Sequence, residues 1–154
     1  MKEDEEKMAN DKTISTLNGL IETCRDGEQG FRTAAEGLKN PQTKSLFIEY
    51  SRQREGMTRE LQDEVSRLGG NPEKAGSMSG SMHRGWMNIK AAITGKNDST
   101  IIAEAERGED VAKEMYENAL KASLPPLTQA LVQRQSVMVR EAHDRVRALE
   151  KVAH

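Results

Sequence analysis

Glu28 occupies a position where a hydrophobic residue is expected. Ile14, Leu17, Ile21, Cys24, Glu28, Phe31, Ala35 and Leu38 follow one another at steps of three and four, the spacing of one buried stripe on a helix. An ionised carboxylate in such a stripe is costly unless a cation, a metal ion or hydrogen-bond donors meet it. Three further stripes are interrupted in the same way. Arg54 lies in Phe47, Tyr50, Arg54, Met57, Leu61, Glu64 or Val65, Leu68. Glu109 lies in Ile102, Ala105, Glu109, Ala112, Tyr116, Ala119, and Gln135 in Val132, Gln135, Val139, Ala142, Val146, Leu149. Two chemistries follow. In one, a metal ion meets the carboxylates. Alternatively, Arg54 supplies the positive charge and neutralises Glu28 through a bidentate pair. A guanidinium repels a cation and cannot ligate one. The expected arrangement is therefore a metal-free structural layer of Glu28, Arg54, Glu109 and Gln135, with no cofactor.

These residues need helices to hold them. A first helix is expected over 12–39, after a disordered charged tail at 1–10, with Asp11 or Thr13 as its cap. Asn40-Pro41 stops it and starts a second over 41–68, Asn40 capping and Pro41 in the first turn. Gly69-Gly70 ends that helix. After a loop rich in Gly, Ser, Asn and Pro, a shorter helix is expected over 81–94. The last two helices are expected over 98–123, capped by Asp98, and 126–152, separated by Pro125-Pro126. No stretch alternates with period two. The pattern is all-α: residues 11–154 form one domain, a four-helix bundle of two antiparallel hairpins joined by a long crossover that carries a short fifth helix. Heights counted from the two tight turns at ~1.5 Å per residue bring Glu28 level with Arg54, with Gln135 and His143 about a turn either side of the level of Glu109.

Within that frame, His143 is expected to be a boundary histidine bonded to a carboxylate across the bundle rather than a metal ligand. His83, Arg84 and Trp86 could form a partner- or ligand-docking surface. The simpler arrangement pins Trp86 onto the bundle and leaves His83 and Arg84 in water. Gly19, Gly27, Gly30 and Gly37 weaken the first helix by up to about 1 kcal/mol each, which close approach by a neighbouring element would explain.

Composition narrows the class. Five aromatic residues leave aliphatic side chains and Met to fill the core, and 31% charged residues with a net charge of −2 have interleaved signs. That excludes the one-signed field of a nucleic-acid binder. No run reaches the ~18 apolar residues of a membrane span. One cysteine on the apolar stripe fits a small core residue in a reducing compartment, and the expected location is cytoplasmic. Phosphate loops, nucleophile elbows and zinc spacings are absent.

CRDGEQGF (24–31), RLGGNP (67–72), HRGW (83–86), ERGED (106–110), LPP (124–126) and AHDRVRAL (142–149) together resemble a family of small bacterial ferritin-like four-helix-bundle proteins of unassigned function. The resemblance implies the ferritin-like fold over about 12–150. In metal-loaded members of that superfamily, two single glutamates and two Glu-x-x-His pairs hold the metals. Glu28 and Glu109, or Glu106, match the single glutamates. Arg54 and Met57 stand at one Glu-x-x-His position, and the last helix has no such pair. The expected function is accordingly non-catalytic, through protein contacts or self-association into a homo-oligomer, with a stress-related setting implied by the superfamily alone. The alternative that the resemblance implies is a divergent protein that binds or oxidises iron or manganese, as a di-iron or di-manganese site, through Glu28, Glu106, Glu109 and His143.

Overall fold

A computed structural model describes residues 2–72, 85–95 and 97–153. Its described residues form five helices and no strand: α1 (Lys2–Gly37), α2 (Pro41–Arg67), α3 (Ile89–Thr94), α4 (Asp98–Lys121) and α5 (Pro126–Ala153). α1 packs along α2 and α4 along α5, while α1 also packs against α4 and α3. α2 and α5 touch only sparsely.

Local chemistry sets the boundaries. Asn40 caps α2 as its sequence suggests, its side-chain oxygen accepting from the backbone N–H groups of Gln42 and Thr43. Asn97, rather than the expected Asp98, caps α4 by accepting from the Ser99 N–H. Asp98 is thereby free for another task. Its carboxylate accepts from the Lys39 and Asn40 N–H groups at 2.9 and 3.0 Å, tying the α1–α2 turn to the start of α4.

Two expectations about the elements need correction. Residues 2–10 are helical, not a disordered tail. Lys, Glu, Met and Ala are strong helix formers, and Glu3, Asp4 and Glu5 suit the positive end of the helix dipole. The short helix starts at Ile89, because residues 85–88 form a turn in which Gly85 has φ +95°. An L-residue with a side chain is strained there. Residues 81–84, including His83 and Arg84, lie outside the described residues.

The core divides into two apolar clusters. One holds Leu17, Leu20, Ile21, Met57, Leu61, Val65, Tyr116 and Val132. The other holds Phe31, Phe47, Trp86, Ile89, Ile101 and Val146. Trp86 is 2% exposed and lies in a slot between two glycines. A Cβ on Gly30 of α1 would stand 2.2 Å from the indole, and one on Gly108 of α4 would stand 2.1 Å away. Gly37 likewise admits Ile93, and Gly85 lies against the Arg107 carbonyl. Close approach thus explains the glycines of GEQG and ERGE, and Trp86 pins the crossover onto α1 and α4.

Gly30→Ala should therefore destabilise by about 1–3 kcal/mol through overpacking, with a changed emission from Trp86, the chain's single tryptophan. Gly56, on an exposed helical surface with nothing within 4 Å of an added Cβ, provides the opposite case. Gly56→Ala should gain roughly 0.5–1 kcal/mol in urea unfolding.

Candidate functional site

Between the two apolar clusters lies an ion pair. Arg54 of α2 and Glu109 of α4 are 1% and 0% exposed, and the Arg54 Nη2 donates to Glu109 Oε2 at 2.6 Å. Gly27 makes the space: a Cβ there would be 2.8 Å from Arg54 Nη1. The Phe31 ring faces the guanidinium carbon at 5.5 Å, a cation–π contact in a desolvated place. Burial disfavours the charged Arg54, but the charge and hydrogen bond of Glu109 outweigh it and raise its pKa. The pair is not bidentate. Arg54 Nε and Glu109 Oε1 are buried without a hydrogen-bond partner.

The expected partner of Arg54 was Glu28, and this pairing is wrong. Glu28 lies at the edge of the stripe, 17% exposed, where Arg32 one turn along α1 donates to it at 3.1 Å. Partial hydration and a local cation satisfy Glu28, whereas fully buried Glu109 has no such recourse and takes the guanidinium. The Glu28 backbone carbonyl accepts from the Ser51 hydroxyl at 2.8 Å, a bond between α1 and α2.

Gln135 belongs to a second buried array that the sequence reading did not assemble. The Tyr116 hydroxyl donates to Gln135 Oε1 at 2.7 Å, and Gln135 Nε2 donates to the Met57 carbonyl at 3.2 Å and to Glu60 at 3.1 Å. Glu60 is bonded in turn by Arg134 at 2.7 Å. With the Tyr116 proton directed to Gln135, the Cys24 thiol is the donor in its 3.1 Å contact with Tyr116 Oη. A signal for it lies in the sequence: a buried tyrosine hydroxyl usually requires a partner, and Tyr116 sits in an otherwise apolar stretch of its stripe. Burial pushes the Cys24 thiol up to about 11 and the Tyr116 hydroxyl well above its ordinary value. Both stay protonated at neutral pH, and the thiol is a poor nucleophile.

The alternative metal ligands face different partners. His143, with a side chain 3% exposed, has its Nε2 2.6 Å from Asp110 Oδ1 of α4 and its Nδ1 3.0 Å from Asp144 Oδ1. It is the boundary histidine bonded across to another helix, with Asp110 as the partner carboxylate. Glu106 lies 3.9 Å from the Arg147 Nε and beside Glu150, and its pKa is raised by burial and by that neighbouring carboxylate. Glu109 is held by Arg54 and Glu28 by Arg32. Among the described residues, no three of His, Cys, Asp and Glu converge as a metal-holding group.

The family model described as a domain of unknown function (DUF2383) matches residues 12–122. The chain belongs to the DUF2383 family. The match takes in α1 from Lys12, α2, α3 and all of α4, and so includes Arg54, Glu109, Trp86 and the slot glycines. Gln135 and His143, on α5, fall beyond it. No curated protein matches the chain. No helix among the described residues of this DUF2383 protein is long and apolar enough to cross a membrane.

Arg54→Leu should cost on the order of 3–5 kcal/mol by stranding Glu109, and Arg54→Leu with Glu109→Leu should recover most of that loss in urea unfolding. If the pair stabilises chiefly through its charges, the double variant stays as unstable as the single one. For His143 the sign is set by its raised pKa: burial opposes protonation, but the bonds to Asp144 and Asp110 prevail. Folding then takes up a proton, so the contribution is full below the unfolded value of ~6.5 and is lost as pH rises through the folded one. The stability difference between the wild type and His143→Gln should shrink between mildly acidic and mildly alkaline pH.

Proposed function

We propose that this DUF2383 protein is a ferritin-like four-helix bundle, two antiparallel hairpins and a crossover, whose metal-binding waist has been replaced by an ion pair. It acts without catalysis, through contacts with a protein partner or with further copies of itself, in the cytoplasm and in a stress-related setting. One observation supports the scaffold reading above the others: the Arg54 guanidinium lies against Glu109 in the buried centre. A fixed positive charge there opposes a metal cation electrostatically and occupies the carboxylate it would need. The other donors do not fit a dinuclear site, since Glu28, Glu106 and His143 each face separate partners.

The metal-protein reading draws on Glu109 Oε1, a buried carboxylate oxygen without a partner. Metal analysis of full-length protein purified without chelators separates the two. The scaffold reading expects iron and manganese far below one equivalent, no gain in thermal stability on adding either ion, and the same result for Glu28→Ala. Near-stoichiometric metal that is lost in Glu28→Ala would overturn it. Sedimentation of the native chain then reads self-association directly.

A further inference from the structure

The seam between α2 and α5 is bridged at one end and open at the other. Towards the C-terminal half of α2 it is crossed by Arg134–Glu60, by Gln135 to the Met57 carbonyl, and by the Thr128 hydroxyl to Glu64 at 2.5 Å. Around the first turns of α2 and the last turns of α5 the helices instead border a cleft of about 580 Å³. That volume lies within the range of small-molecule sites, roughly 300–1,000 Å³.

The lining has a definite chemistry. Glu49 stands on the α2 wall and Arg145 on the α5 wall, both exposed, and no ion pair joins them among the described residues. Half-buried Leu46 and Leu149 offer an apolar surface, one from each helix, and Gln42 and Ser45 add amide and hydroxyl groups. Both charges act on one spot. The half-buried Tyr50 hydroxyl is raised by burial, pulled back by Arg145, and raised again by Glu109 and Glu49. A ligand of a single sign would match one wall and oppose the other.

We propose that this cleft binds a short zwitterionic peptide, its carboxylate on Arg145, its ammonium on Glu49 and an apolar side chain against Leu46 and Leu149. The guanidinium fork suits a terminal carboxylate, which it can grip through two parallel bonds. The carboxylate of Glu49 accepts from a terminal ammonium. The site is independent of whether the bundle's centre holds metal.

Titration of the dipeptide leucyl-leucine into the isotopically labelled full chain, followed by amide chemical shifts, tests this. Saturable shifts confined to residues 42–49 and 145–149 are expected. Arg145→Met and Glu49→Gln, both at exposed positions and checked for unchanged helicity, should each weaken binding on the order of tenfold, the effect of ~1.4 kcal/mol. N-acetylated, C-amidated leucyl-leucine should not bind. Absence of saturable shifts at millimolar dipeptide overturns the proposal. So does equal binding of the capped dipeptide, which would make the cleft a merely apolar groove, or unchanged affinity in both variants.

Discussion

A positive charge has to be housed where every neighbouring position in the pattern is apolar. Arg54 is among the largest fully buried side chains, and the residues around it are arranged to tolerate it. Gly27 gives up its side chain, Phe31 turns a ring face, and Glu109 on another helix supplies the counter-charge. Burying such a pair rarely adds stability over well-packed hydrophobes of equal volume. Losing one partner is far worse than replacing both. The two residues are therefore constrained together, and they constrain Gly27 with them.

A second constraint concerns shape rather than charge. The crossover passes over α1 and α4, and its indole penetrates deeply enough that both helices must present glycine. The cost of two glycines inside helices, up to about 1 kcal/mol each, is offset by burial of the largest side chain in the protein. Phe31 joins the two constraints. Its ring meets Trp86 edge-on at 5.0 Å on one side and the Arg54 guanidinium on another. The indole slot and the ion pair are thus consecutive parts of one packed centre.

Much of the architecture was legible because helical stripes are periodic. The α4 stripe is buried at all six of its positions, and Asn40-Pro41 starts α2 as its chemistry requires. Periodicity also identified Arg54, Glu109 and Gln135 as buried polar residues. It could not give their rotation about each helix axis to better than part of a turn, and that angle decides which carboxylate meets the guanidinium. Glu28 and Glu109 differ little in sequence context, yet one reaches the edge and finds Arg32 while the other faces inward. The N-terminal turns differ from expectation for another reason. A segment with no apolar stripe gives no tertiary signal, and only propensity and dipole complementarity argue for the helix found there.

Thr58 returns its hydroxyl to the Arg54 carbonyl within α2, but five other polar bonds of the interior join different helices. Ser51 to the Glu28 carbonyl joins α2 to α1, Cys24 to Tyr116 joins α1 to α4, and Tyr116 to Gln135 joins α4 to α5. Gln135 to the Met57 carbonyl joins α5 to α2, and Arg54 to Glu109 joins α2 back to α4. All four long helices are thereby linked in one circuit. An apolar seam alone tolerates sliding by a turn, because one aliphatic side chain replaces another at small cost. Sliding any one of these helices would leave buried donors and acceptors unpaired, at about 1–3 kcal/mol each and more for the charged pair. Arg54, Glu109 and Gln135, at the centres of three of the apolar stripes, thus exchange some stability for a single register. That trade is the physical content of the interruptions in the pattern.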